Sequence, residues 1–269
     1  MEDSGYLPRL AIMVNRFFKR MGLNGKAVLP MVLGLGCDTM ATLTARILET
    51  KKQRLIVTLL LALAVPCSAQ LGVLLGMFGK MPLWTFVVWL GLIAGVMFLV
   101  GYASNKIIAG ENGAFVMEIP PLRMPQFGNV CRKTVSRLEW YVKEAIPLFL
   151  LGTFILFLLD SLHLLKGMQR LATPLVVSFL GLPPEAANAF LIGFLRRDYG
   201  ATGFFDMYNR GRLSVAQALV ALVVITLFVP CVANIFMIVK EHGAKVALRM
   251  VFFIFPFAFL IGGVLHWML

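Results

Sequence analysis

Apolar residues run without a single charge from Leu55 to Gly79, from Leu83 to Ala103 and from Leu213 to Val239, and the runs Ala145 to Leu165 and Val246 to Met268 are nearly as clean. Roughly 20 apolar residues at about 1.5 Å of rise each cross a bilayer, so each of the five predicts a transmembrane helix. Two further apolar stretches are interrupted. Residues 27–47 contain Pro30, Gly34 and Gly36, and residues 171–195 contain Pro174, Gly181, Pro183, Pro184 and Gly193. Proline and glycine at this density predict broken or re-entrant helical hairpins rather than plain spans.

The interrupted stretches repeat each other. Met21-Gly22-Leu23 precedes Gly34 as Leu180-Gly181-Leu182 precedes Gly193, at a constant offset of 159 residues, and Pro66-Cys67-Ser68-Ala69 returns as Pro230-Cys231-Val232-Ala233 at an offset of 164. Each copy reads as a broken hairpin, a basic loop and a helix kinked at Pro-Cys. If each hairpin returns to its own side, two plain spans separate the Cys67 helix from the Cys231 helix, so these run in opposite directions and the repeat is expected to be inverted, as in many secondary transporters. The fold class predicted is therefore all-α integral membrane, with about five transmembrane helices and two broken hairpins in an inverted repeat. The first gate repeat is expected over residues 1–103, with its hairpin at 27–47 and spans at 55–79 and 83–103. A cytoplasmic connector follows over 104–144, and the second repeat over 145–269 holds a span at 145–165, the hairpin at 171–195 and spans at 213–239 and 246–268.

Composition agrees with the pattern: 59% of the 269 residues are hydrophobic and only 14% charged, a balance that a water-soluble core could not absorb. The net charge of +12 is unevenly placed. One predicted side receives 18 of the 25 basic residues, in segments 1–26, 48–54, 104–144 and 240–249 together with Arg46, whereas the other receives Lys80, Lys166, Arg170, Arg196, Arg197, Arg210 and Arg212. The positive-inside rule makes the first side the cytoplasm. Basic loops beside anionic head groups account for the charge without nucleic acid. Within the connector, residues 126–145 place Val130, Val135, Leu138, Tyr141 and Val142 among basic residues, a pattern suited both to an interfacial helix and to an ordinary solvated one. The polar, acidic start of the chain is not that of a cleavable signal peptide.

Catalytic motifs of soluble enzymes are missing. Gly22-Leu23-Asn24-Gly25-Lys26-Ala27 resembles a phosphate loop only superficially, since Ala27 stands where Ser or Thr would hold magnesium. No acid and base pair lies within the spans, so an enzyme is not expected. Candidate chemistry rests instead on cysteine. Cys131 falls in the basic connector, while Cys37, Cys67 and Cys231 each lie at a helix interruption. Any one of them could be a small packing residue, yet three at broken membrane helices point to a site. Thiols beside Asp38, with hydroxyls of Thr39, Thr42 and Ser68 and carbonyls freed by Pro66 and Pro230, suit a borderline-soft divalent first-row ion: ferrous iron, manganese, zinc or cobalt. Asp198 could draw cations to an outer entrance or pair with a neighbouring arginine.

These residues resemble the membrane portion of the ferrous iron transport protein B family and its two gate regions. The resemblance is carried by Glu2-Asp3-Ser4-Gly5-Tyr6, Gly36-Cys37, Cys67-Ser68-Ala69, Phe115-Val116-Met117-Glu118-Ile119-Pro120-Pro121 and Val229-Pro230-Cys231-Val232-Ala233, in family order over essentially the whole chain. It departs where Asp38-Thr39-Met40-Ala41 replaces the usual Asn-Val-Pro-Ala, where Gln70 replaces an arginine, and where Arg197-Asp198 replaces Lys-Glu. The resemblance implies uptake of Fe²⁺ as transported substrate across a bacterial inner membrane, no bound organic cofactor, and passage by Cys37, Cys67 and Cys231; the chemistry of the residues themselves adds Asp38 as a ligand, with Ser68, Thr39, Pro66, Pro230 and Asp198 along the pathway. The family's GTP-binding domain precedes the Glu-Asp-Ser-Gly motif, so a nucleotide domain or N-terminal transporter part is expected on a separate chain. The other partner is the bilayer, and a homo-oligomer stays open. A transporter of nucleosides or other organic solutes, and a non-transporting scaffold for a nucleotide-binding partner, remain the alternatives.

Overall fold

The computed structural model describes residues 6–110, 126–161, 173–174, 176–195, 197–228 and 231–268, and among these every regular element is a helix. An amphipathic helix α1 (Tyr6–Arg20) leads into two short helices, α2 (Val28–Gly34) and α3 (Asp38–Thr44). Then come α4 (Lys51–Ala64), α5 (Ser68–Phe78), α6 (Leu83–Ile107) and the long α7 (Phe127–Ser161). The second half holds α8 (Ala186–Leu195), α9 (Arg197–Asn209), α10 (Val215–Phe228), α11 (Val232–His242) and α12 (Ala244–Met268).

The breaks have local causes. Thr50 caps α4 by accepting from the Gln53 amide at 3.3 Å, and α4 ends at Ala64 because a proline at 66 disfavours helical backbone at Val65, which is extended at φ −100° and ψ 111°. Cys67 is extended too, and α5 restarts at Ser68. In the first hairpin the extended Cys37 separates α2 from α3, and Asp38 opens α3 where a carboxylate meets the positive end of the helix. The extended Cys231 does for α11 what Cys67 does for α5.

Four helical stretches are long and apolar enough to cross a membrane, Lys51–Phe78, Leu83–Ile107, Val215–His242 and Ala244–Met268. They coincide with four of the five predicted spans. The fifth, 145–165, begins inside α7, which runs unbroken through Pro147 from the segment expected to be an interfacial helix, and its last residues lie outside those described. The centre of the molecule is the pair α4 and α10, whose residues Ile56 to Ala64 and Ala218 to Leu227 are buried almost all round. By contrast α6 and α12 expose Leu83, Val87, Leu90 and Leu99, and Leu248, Phe252, Leu260 and Val264. An apolar face of this kind on a membrane helix meets lipid.

The repeat holds residue by residue. Lys51–Phe78 and Val215–His242 both span 28 residues, and α6 and α12 both span 25. Gly22 and Gly181 both adopt the left-handed conformation, at φ 74° and 62°, and both press against the end of the outer helix of their own half, Gly22 on Asn105 and Gly181 on His266. The second hairpin is α8 and α9, which cross so closely at Gly193 and Gly200 that a Cβ on Gly200 would lie 2.5 Å from the Gly193 Cα. Gly34 and Ala41, 159 residues earlier, hold the same crossing in the first hairpin. The arms of the second hairpin are thus Ala186–Leu195 and Arg197–Asn209, and the second arm lies past the 171–195 stretch that the prolines suggested. Those prolines lead into the first arm, and polar residues conceal the apolar face of the second.

Two contacts fix the relative direction of the halves. Arg46, before α4, forms a two-bonded ion pair with Glu241 at the end of α11, and Thr58, in the first third of the Lys51–Phe78 stretch, bonds His242 at 3.0 Å. The end of α11 therefore lies beside the start of α4, on the opposite side from the end of α5, which is its own repeat mate. Lys80, just beyond α5, instead reaches Asn209 at the end of α9. The two broken helices run antiparallel, and the repeat is inverted.

Candidate functional site

Both Pro-Cys breaks and the first hairpin converge at the middle of the molecule. The Ser68 amide and hydroxyl both donate to the Gly36 carbonyl, at 3.3 and 3.0 Å, so the residue after Cys67 is stitched to the residue before Cys37. From the other half, Asn234 lies one turn past Cys231, and its side-chain oxygen accepts from the Thr42 hydroxyl of α3 at 2.9 Å. Gln70, at the position of Asn234 in the first repeat, donates to the Ile225 carbonyl of α10 at 3.2 Å. Cys37, Cys67 and Cys231 are all partly buried, and Cys37, Asp38 and Arg197 are near enough to Cys67 and Cys231 to act on both electrostatically.

At the centre is a buried ion pair. Arg197 Nη1 lies 2.8 Å from Asp38 Oδ2, and each side chain is only 3% exposed. The same guanidinium donates to the Val65 carbonyl at 3.1 Å and to the Ala62 carbonyl. The Ala62 oxygen is the one that residue 66 would bond in an unbroken helix, and proline has no hydrogen to give. Asp38 and Arg197 are 159 residues apart, the offset of the hairpin repeat, so each touches its own repeat mate and the pair sits on the pseudo-two-fold axis. Three buried polar atoms here have no partner among the described residues: Asp38 Oδ1, Gln70 Oε1 and Asn234 Nδ2.

Cys67 and Cys231 stand at the N-terminal ends of α5 and α11, where amide hydrogens face the thiol, while α4 and α10 deliver carbonyl ends to the same breaks. Each break thus offers sulfur and oxygen side by side. Among the described residues, however, no three His, Cys, Asp or Glu side chains are close enough together to hold one metal ion. The thiols thus form no closed ligand cage among the described residues. Thr39 is buried next to Asp38, Pro66 is buried within the first break, and Ser68 is exposed. The hydroxyls of Thr42 and Ser68, expected to face an ion, tie elements together instead. Asp198 is half-buried in the first turn of α9, and Pro230 lies outside the described residues. Arg197 corrects the expected topography most: it was assigned to the outer surface, and it lies in the core against Asp38. Its spacing from Asp38 by the repeat offset was the signal that could have found it, as the offset of 164 between Gln70 and Asn234 could have found that pair.

Two family models and several known proteins match this chain in sequence. The family model described as "Nucleoside recognition" gate covers residues 1–81 and 142–245, and the model described as "Ferrous iron transport protein B C terminus" covers residues 86–137. The Fe(2+) transporter FeoB of Staphylococcus aureus (strain COL) is 29% identical over 267 residues, covering 90% of this chain and 40% of that protein. FeoB of Methanocaldococcus jannaschii is 24% identical over 285 residues, covering 92% of this chain and 42% of its own length. A Fe(2+) transport protein A/FeoB fusion protein of Porphyromonas gingivalis is 34% identical over 165 residues, covering 60% of this chain and 19% of the fusion. The chain thus spans about two fifths of the length of these Staphylococcus and Methanocaldococcus relatives. No solved structure matches significantly. With two gate segments joined by the C-terminal model and paired as an inverted repeat, the chain belongs to the ferrous iron transport protein B family, whose gate-bearing membrane region it matches.

Proposed function

We propose that this chain is the permease part of a ferrous iron uptake system in a bacterial cell membrane, passing Fe²⁺ to the cytoplasm between the two gate repeats. The observation that supports this reading is the placement of Cys37, Cys67 and Cys231 at helix ends, with the buried Asp38–Arg197 pair joining the two repeats, in a chain whose relatives are named Fe(2+) transporters. A route of partly buried thiols and carbonyl ends, none forming a closed ligand set, suits an ion that must leave as readily as it enters. Ferrous iron, borderline in softness, accepts both sulfur and oxygen. Asp198 would lie along the approach on the side opposite Arg46 and Glu241. Nucleotide hydrolysis would come from a GTP-binding domain outside these residues, so the purified chain should show no GTPase turnover, and measurable turnover would reveal a site not recognised in these helices.

The decisive test is ⁵⁵Fe uptake in cells lacking their own ferrous transporter, comparing the chain alone, the chain with a nucleotide-domain partner, and both with Cys67→Ser and Cys231→Ser. Uptake is expected to fall by more than about tenfold in the double serine variant, since hydroxyl oxygen is a poorer ligand for this ion than sulfur. Uptake equal to wild type would remove the thiols from the route. A second reading, an organic solute, draws on the spare hydrogen-bonding capacity of Asp38, Gln70 and Asn234. It predicts that nucleosides compete with iron uptake.

A further inference from the structure

We propose that Arg197 is a tethered stand-in for the transported cation: its guanidinium fills an oxygen-lined cation site made by Asp38 Oδ2 and the carbonyls of Ala62 and Val65, and a divalent ion occupies that site only when Arg197 withdraws. This inference rests on the transport reading above and adds the state in which the route is shut.

Each acceptor has a reason to want a cation. The Ala62 carbonyl lost its helical donor to Pro66, and the Val65 carbonyl belongs to the extended residue of the break. Asp38, 3% exposed, brings a carboxyl group whose Oδ2 faces the guanidinium at 2.8 Å. A carboxylate and two peptide carbonyls converging on one point are the ligands of a hard or borderline divalent cation. Here a planar guanidinium takes their place, since its forked donors can meet several oxygens at once. The site is also incompletely used, because Asp38 Oδ1 is buried without a hydrogen-bond partner among the described residues. A guanidinium meets one carboxylate oxygen here, whereas a metal ion could draw in both.

The tether is placed to move. Arg197 is the first residue of α9, directly after the hairpin break, and α9 packs on α8 through the small residues Gly193 and Gly200 and on α5 of the other repeat. A shift of α9 relative to α4 withdraws the guanidinium and leaves Asp38, Ala62 and Val65 in position, since α3 and α4 belong to the first repeat. The second repeat cannot make the reciprocal lock. There the carbonyl freed by the proline is that of Thr226, and the residue equivalent to Arg197 is Asp38, which has no hydrogen to donate when ionised. Among the described residues, a cation meets the carbonyls of the first break and none meets those of the second, so the two symmetry-related breaks are unequal in this state.

Mn²⁺ is the probe, because it favours oxygen ligands and is read directly by electron paramagnetic resonance on the purified full chain in detergent. Arg197→Gln should bind Mn²⁺ at least about tenfold more tightly than wild type, because a buried carboxylate without its counter-charge draws in any cation. Asp38→Asn added to Arg197→Gln should abolish the gain, and Cys37→Ser, Cys67→Ser and Cys231→Ser together should leave it. Arg197→Lys keeps the charge but not the fork, and should bind Mn²⁺ at an affinity between the two. A folded Arg197→Gln protein that binds Mn²⁺ no better than wild type overturns the proposal, and so does a gain that persists without Asp38. If Arg197→Gln does not fold, an Arg197→Lys affinity equal to wild type overturns it. Binding in detergent does not depend on translocation, so failure here leaves the uptake experiment standing, and failure of the serine variants to alter uptake leaves this result standing.

Discussion

A carboxylate and a guanidinium each 3% exposed form the most consequential contact in the molecule. Burying two charges costs several kcal/mol each, and the pair recovers that only because Arg197 also meets two carbonyls with no other donor at the break. Removing one partner should therefore destabilise far more than removing both. Asp38→Asn is expected to cost about 3–5 kcal/mol, and Asp38→Asn with Arg197→Gln to recover a large share, as read from thermal unfolding in detergent. Additive losses would show that the two charges do not act as a unit. By contrast Glu241→Gln, at an ion pair whose arginine is half exposed, should cost no more than about 1 kcal/mol.

For the elements, the informative feature is that Pro66 breaks a helix whose two halves are otherwise well made. α4 has its Thr50 cap and a fully buried face, and α5 is tied to the first hairpin by both bonds from Ser68. Pro66→Ala should let the helix close across Ala62 to Cys67, releasing Arg197 from one acceptor. Amide exchange at Val65 and Cys67 should slow and iron uptake should fall, while the fold survives, because proline inside a helix costs about 3 kcal/mol that alanine does not. Unchanged exchange at these residues would mean that tertiary contacts rather than the proline hold the break open. The long α7 shows the opposite case. Its sequence changes from charged to apolar near Ala145, which reads as two elements, yet helical propensity continues across the change and Pro147 does not interrupt it.

Across the whole molecule, inversion makes a topological prediction. In a background without cysteines, Lys80→Cys and Glu241→Cys should be labelled by a membrane-impermeant thiol reagent from opposite sides, because Lys80 neighbours Asn209 at one end of the bundle and Glu241 neighbours Arg46 at the other. Labelling from one side only would refute the antiparallel arrangement of α4 and α11. The same two groupings appear in the distribution of basic residues, where Arg46 and Lys240 fall in the richly basic set and Lys80 and Arg210 in the sparse one.

Helix class, the four long spans and the existence of a repeat were legible along the chain because they depend on local quantities: hydropathy over about 20 residues, a proline without a hydrogen, a glycine at a left-handed turn. The thiols were legible for the same reason, since a break marks itself. Three matters were decided only by tertiary packing. The second hairpin extends to Asn209 because Gly193 and Gly200 let α8 and α9 touch, a contact that no hydropathy window registers. The hydroxyls of Thr42 and Ser68 were committed to tethering by partners on other elements. Arg197, which reads as a surface charge beside an apolar helix, is drawn inside because Asp38 and the carbonyl orphaned by Pro66 lie across the pseudo-two-fold axis from it. Sequence alone determines which backbone groups lack partners, whereas only the fold decides which distant side chain arrives to satisfy them.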